Sequence, residues 1–315
     1  MRFFISSNIK NNAPLYITVV FFLLSSLLYW VLSWLLYHFK FGLTYEKMYT
    51  YFFTDVKFPE RLPLGQLYED IHIQLFLHVT FILVLSSIFI HKCIRDRVKY
   101  TLILISFLSG VLELLSGLLV YYLSPAFIYV KLMLFYAFQI STGAMLLLAL
   151  KLYLSKEKEE PPERSVLYSL VFIFSLSTLL FTFVNFFLFV NKIGITPGSV
   201  AEYYLGSPEK FLRPKTLSGL LSVVTPHLIT MGIYLFTLVH FVFFTSAKRK
   251  IMLSSLTMTL ALLDNFGGVF IRFLDPSFAY LKLLSFLGLS FMMVYLPTLI
   301  MVSILKHRAK TIILL

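Results

Sequence analysis

The sequence predicts an all-α, polytopic integral membrane protein of about eight transmembrane helices, built as two parallel four-helix repeats. Three observations predict it. The first is composition: 59% of the 315 residues are hydrophobic, 17% are aromatic, and the mean hydropathy is +0.86. A soluble domain of this size cannot hide so much apolar surface, so its solvent is lipid. The second is the presence of eight apolar runs, each long enough to cross a hydrocarbon core that requires about 20 helical residues. The third is a duplication. ELLSGLLVYYLSPAFIYVKL at 113–132 aligns without a gap on DNFGGVFIRFLDPSFAYLKL at 264–283, with seven of twenty positions identical.

In chain order the spans are expected at 14–37, 71–91, 101–122, 126–153, 166–190, 218–244, 251–273 and 278–305. The N-terminal segment MRFFISSNIKNNAPLY runs into a full-length span without a small-residue cleavage site, so it reads as a first helix and not as a signal peptide. KEKEEPPERS at 156–165 is the one strongly polar connection and divides the chain into a first repeat (1–155), a linker (156–165) and a second repeat (166–315). Polar matches extend the duplication. Tyr16 and Ser25 recur as Tyr168 and Ser177; Lys40, Gly42 and Thr44 recur as Lys192, Gly194 and Thr196; His78 and His91 recur as His227 and His240. In the duplicated stretch Ser124-Pro125 and Asp275-Pro276 read as helix starts, a cap residue followed by the one residue that lacks a donor the first turn does not use.

Four spans per repeat is an even number, so both repeats enter the membrane in the same direction, related by a pseudo-two-fold axis along its normal. Lys and Arg number 16 on the side that holds both termini and 11 on the other, which places both termini in the cytoplasm of a cell bounded by this membrane. The loops at 44–70 and 195–216 mix aromatic and charged residues, as interfacial segments do. Ser207-Pro208-Glu209 suggests a short helix before the sixth span. Whether these loops only seal the outer face or also gate it is open at this level.

The formal charge of +12 would suggest nucleic acid in a soluble chain; here it fits loops facing anionic lipid, and no nucleic-acid partner is expected. Cys93 is the single cysteine, which excludes an internal disulfide and a Cys-x-x-Cys-His haem attachment. No Gly-rich phosphate loop, His-Glu-x-x-His or nucleophile elbow occurs, so a soluble-type enzyme is not expected.

Ionisable groups inside the bilayer are the functional candidates, because each is costly unless partnered. Each repeat places one histidine and one carboxylate at similar depth on consecutive helices: His78 with Glu113, and His227 with Asp264. At a rise of 1.5 Å per residue the carboxylates lie roughly 14 Å from the outer helix ends. Three readings follow. The histidine and carboxylate pair structurally; or His78 and His227 ligate haem b or a metal, with Glu113 and Asp264 accepting from the other ring nitrogens; or the carboxylates line a proton or ion path. Lys131 and Lys282, near the outer helix starts, are expected to snorkel to the interface.

The histidines at 78, 91, 227 and 240 loosely resemble those of two-haem quinol-oxidising b-type cytochromes, which implies haem and a quinone partner. Thirteen residues turn a helix by about 220° net, so His78 and His91 leave on different faces and one shared haem fits better than a stacked pair. The stretch 202–240, EYYLGSPEKF through LFTLVH, resembles a motif of uncharacterised bacterial membrane proteins of about four spans, with Thr225 where their first histidine stands. That resemblance implies a duplicated four-helix unit and no activity. The resulting expectation is a membrane-embedded redox subunit of b-type cytochrome character with a site between the repeats. A proton-coupled transporter or channel subunit, and a non-catalytic scaffold among other membrane subunits, are the alternatives.

Overall fold

The computed structural model describes residues 9–54, 60–159 and 164–313. Ten helices form among them: α1 (Ala13–Lys40), α2 (Tyr45–Phe53), α3 (Leu64–Phe89), α4 (Asp96–Tyr122), α5 (Phe127–Leu154), α6 (Arg164–Lys192), α7 (Pro197–Leu205), α8 (Leu217–Val242), α9 (Lys250–Phe273) and α10 (Phe278–Ile313). Eight of them are long and apolar enough to span a membrane, and α2 and α7 are the short exceptions. The described residues contain no strand, only two isolated bridges. The eight predicted spans and the duplication therefore hold, and each repeat adds a short helix between its first and second spans.

Both short helices are set by the same local chemistry. Gly42 (φ 83°) and Gly194 (φ 91°) adopt the left-handed conformation that ends α1 and α6, and each donates its N–H back to the carbonyl of Tyr37 or Phe189. A Cβ on either glycine would lie 2.3 Å from Lys47 or Ser199, so no other residue fits. Two residues on, the hydroxyls of Thr44 and Thr196 accept from the N–H groups of Lys47 and Ser199 and start α2 and α7. The recurring Lys-x-Gly-x-Thr is thus a stop and a start in one motif. It also moves the expected second short helix: Ser207-Pro208-Glu209 instead forms a turn closed by the Ser207–Leu212 bridge.

The Ser124-Pro125 and Asp275-Pro276 starts are also displaced. Ser124 Oγ accepts from Ala126 N–H at 3.2 Å and Asp275 Oδ1 from Ser277 N–H at 2.7 Å, so each side chain closes a local turn. Backbone bonds then run from Phe127 to Ser124 and from Phe278 to Asp275, and α5 and α10 begin at those phenylalanines.

The chain divides into two compact units, Met1–Leu170 and Val171–Leu315. In the first, α1, α3, α4 and α5 enclose a core that includes Leu23, Leu85, Phe89, Met145, Leu146 and Tyr153. Ser106 and Ser141 share a hydrogen bond across α4 and α5, and Trp30 of α1 donates to the Gln139 carbonyl and lies against Gly143. In the second, Phe189, Val200, Tyr204, Leu220, Ile271 and Phe286 form a core where α6, α7, α8, α9 and α10 meet. Large side chains such as Phe21 and Phe39 on α1 and Phe236 on α8 stay exposed, as expected of surfaces solvated by lipid.

The polar stretch 156–165 is not a free linker over its described part. Glu159 accepts from the N–H groups of Ile9 and Lys10, Lys10 Nζ donates to the carbonyl oxygens of Ser155 and Glu157, and Lys92 pairs with Glu157. Burial, with Lys151 beside it, holds the Lys92 amine below its usual value. The first half of the stretch is therefore bound to the first unit; residues 160–163 lie outside the described residues, as do 55–59 of the long loop at 44–70.

Candidate functional site

Of the carboxylates that the sequence singles out, Glu113 is buried and Asp264 half-buried, and their direct partners are lysines. Lys131 Nζ pairs with Glu113 Oε1 and donates to the Glu113 carbonyl at 3.1 Å. Lys282 Nζ pairs with Asp264 Oδ1 at 2.6 Å and donates to its carbonyl at 2.7 Å. Lysine and carboxylate stand 18 residues apart in both copies.

The hairpin geometry explains why. Glu113 lies nine residues before the end of α4 at Tyr122, and Asp264 nine before the end of α9 at Phe273. That is roughly 14 Å down the helix, whereas a lysine four residues into α5 or α10 starts roughly 6 Å down. A four-carbon stem pointing inward closes most of the gap. The expectation that Lys131 and Lys282 snorkel outward is corrected on this point. With a carboxylate and a main-chain carbonyl waiting below, the ammonium finds partners inside, and both side chains are more than nine-tenths buried.

Small residues lie against the lysine in both hairpins, loosely in the first copy and tightly in the second. Ser116 and Gly117 sit one turn after Glu113, and Lys131 Nζ lies 4.0 Å from where a Cβ on Gly117 would stand. A Cβ on Gly267 would lie 2.8 Å from Lys282 Cδ, and one on Gly268 only 2.3 Å from the Tyr204 ring.

Around this shared frame the copies differ. Tyr37 donates its hydroxyl to Glu113 Oε1 at 3.0 Å while its ring stacks on Phe135 at 3.6 Å. The same stack recurs between Phe189 and Phe286 at 3.7 Å, without the hydroxyl. The cation Lys131 lies 5.6 Å from the Phe41 ring and Lys282 5.8 Å from Phe189. Glu113 Oε2 is buried and has no hydrogen-bond partner. Toward α2, Asp70 of α3 pairs with Lys40 and accepts from the Tyr51 hydroxyl. Burial first, then the Asp70 carboxylate, pushes the Tyr51 phenol well above its usual range. In the second copy burial likewise raises the phenol of Tyr204, whose electrostatic neighbours are Lys282 and Asp264.

The histidines part company. His78 is buried in the first unit with its ring 4.4 Å from Phe138, and its Nδ1 has no hydrogen-bond partner. His227 is exposed on α8, and its Nδ1 is 2.9 Å from the Val223 carbonyl. The direct contact to the carboxylate is thus lysine in both repeats, while in the first Glu113 still acts on His78 electrostatically and the His78 ring bonds to the Gly110 backbone. His91 is buried in the turn after α3, and His240 lies among Phe236, Phe241 and Phe244. Among the described residues no three His, Cys, Asp or Glu side chains cluster in a metal-holding group.

Sequence reasoning found both carboxylates but missed Lys131 and Lys282 as their partners, and missed Tyr37 and Asp70 altogether. The lysines were findable: each is identical in the duplication at the same distance from its carboxylate. Tyr37 was not, because its counterpart is Phe189.

A family model for a transmembrane helical domain, Aq_1264_TM, matches the chain twice, at residues 42–160 and 194–311. Each match begins at the left-handed glycine and takes in α2–α5 or α7–α10, so α1 and α6, which bring Tyr37 and Phe189, stand before the matched regions. No curated protein and no solved structure matches the chain.

Proposed function

We infer the function from one premise: the chain belongs to the Aq_1264_TM family of transmembrane helical domains and carries two copies. On that premise we propose a proton-handling subunit of coupled-transporter or channel type. It resides in the cytoplasmic membrane with both termini on the cytoplasmic side, the orientation that the excess of Lys and Arg on that side supports. The observation that carries the proposal is the buried lysine–carboxylate pair at one register in both copies. A buried ion pair is weak evidence for stability, since apolar residues of similar volume usually serve as well. An ionisable group at bilayer depth is a functional candidate by default, and such groups mark ion and proton pathways. Within such a pair the proton can pass from the ammonium to the carboxylate without a net charge appearing in hydrocarbon, and uptake or release of a proton then needs water at the pair.

The test is proton flux into vesicles of the purified protein, with a pH-sensitive dye inside and an imposed membrane potential. Wild-type vesicles should acidify faster than protein-free ones, and Glu113→Gln combined with Asp264→Asn should return the rate to that baseline. Wild-type flux equal to the protein-free baseline removes the proposal.

Haem b held by His78 is the second reading, with a redox role and quinone as a partner. One observation favours it: Nδ1 of His78 is buried without a hydrogen-bond partner. A reduced-minus-oxidised spectrum of the purified protein decides it, because a b-type haem gives a sharp reduced band that His78→Ala should abolish.

A further inference from the structure

The Glu113–Lys131 pair is sealed from most of its surroundings, yet one side of it is not fully packed. A small crevice lies between α2, α3, α4 and α5, with room for about one water molecule. Its polar lining is Tyr51, Asp70, Gln74 and Lys131, and Gly117 leaves one wall without a side chain. Lys131 is thus the one group that faces both the crevice and Glu113, to which it donates twice. Gln74 lies ten residues into α3, roughly 15 Å from its start, a depth at which an amide on a lipid-facing surface would be costly. Asp70 and Tyr51 stand one turn closer to the helix start and are bonded to each other.

We infer that this crevice is the water access to the buried pair of the first unit, with Asp70 and Tyr51 at its mouth and Gln74 along its wall. The inference deepens the proton-handling reading and rests on it for its purpose. Water in the crevice hydrates the Lys131 ammonium on the face turned away from Glu113, and this supplies the exchange with bulk solvent that a proton site needs. The second repeat lacks the same mouth. By the register that aligns His78 with His227, Gly219 occupies the position of Asp70, so the carboxylate of the mouth is missing, whereas by the register that aligns Thr44 with Thr196 the tyrosine recurs as Tyr203.

Cysteine accessibility tests it in vesicles of the full chain carrying Cys93→Ser. Gln74→Cys should react with silver ion, a thiol reagent small enough for a one-water crevice, while Ile73→Cys, the adjacent residue on the exposed lipid-facing side of α3, should react at least about ten-fold more slowly, since a thiol in apolar surroundings does not ionise. Leu114→Cys also lines the crevice and serves if Gln74→Cys does not fold. Modified Gln74→Cys should conduct protons more slowly than the unmodified protein. If both crevice positions label no faster than Ile73→Cys, the access is absent, even if wild-type flux is normal. If they label fast but wild-type vesicles carry no flux, the crevice stands and the proton-handling reading falls.

Discussion

The two repeats hold the same ion pair in different surroundings, and the difference separates what the hairpin needs from what each copy adds. In the first, a glutamate 1% exposed meets lysine and tyrosine together. In the second, the shorter Asp264, 16% exposed, meets lysine alone, and Phe189 keeps the aromatic stack without the hydroxyl. The lysine–carboxylate contact and the stack survive in both, so they belong to the architecture of the unit. The tyrosine hydroxyl on the carboxylate and the Asp70–Lys40 pair are features of the first repeat.

The comparison is broken most directly by removing a lysine. Lys131→Met leaves Glu113 buried with only Tyr37 and should cost about 3–5 kcal/mol in unfolding titrations in mixed micelles. Adding Glu113→Leu should recover most of that loss, because an apolar pair no longer strands a charge. Lys282→Met should cost less, about 1–3 kcal/mol, since the more exposed Asp264 keeps some hydration. Equal costs would show that exposure does not set the energetics of the two pairs.

Gly268→Ala should destabilise by about 1–3 kcal/mol, because its Cβ would meet the Tyr204 ring at 2.3 Å with no room to relax. Gly117→Ala places its Cβ 3.5 Å from Leu67, an ordinary contact, and should be nearly silent in the same titration. A reversed order would mean that Tyr204 swings away freely.

Exchanging the aromatic residues sharpens the contrast at smaller scale. Tyr37→Phe makes the first site resemble the second and should cost about 1.5 kcal/mol, the lower range for a hydrogen bond to a charged group. Phe189→Tyr should gain less than Tyr37→Phe loses, because Asp264 is already hydrated in part.

The smallest effect concerns the turns. The Ser277 hydroxyl and N–H hold the exposed Asp275 carboxyl below its usual value, so its contribution is present above the ordinary carboxylate range and fades as pH falls through the depressed value. The melting difference between wild type and Asp275→Ala should therefore close on acidification, while that for Ser124→Ala should not change with pH.

Read along the chain, hydropathy and the duplication were sufficient for the eight spans, the two repeats and the buried carboxylates. These depend on local composition and on a period visible in one dimension. The short helices were half legible: Lys-x-Gly-x-Thr recurs, but its meaning as a left-handed stop followed by a threonine cap emerges only from backbone angles. What partners Glu113 and Asp264 was decided in three dimensions. Two helices joined by a tight turn bring a lysine from 18 residues away to the carboxylate. The histidines at matching positions end up buried on α3 and exposed on α8. Sequence spacing fixes the depth of a side chain in the membrane, because rise per residue is constant. Which neighbour it meets depends on helix rotation and on which small residues let the backbones close, and only the packed structure supplies those.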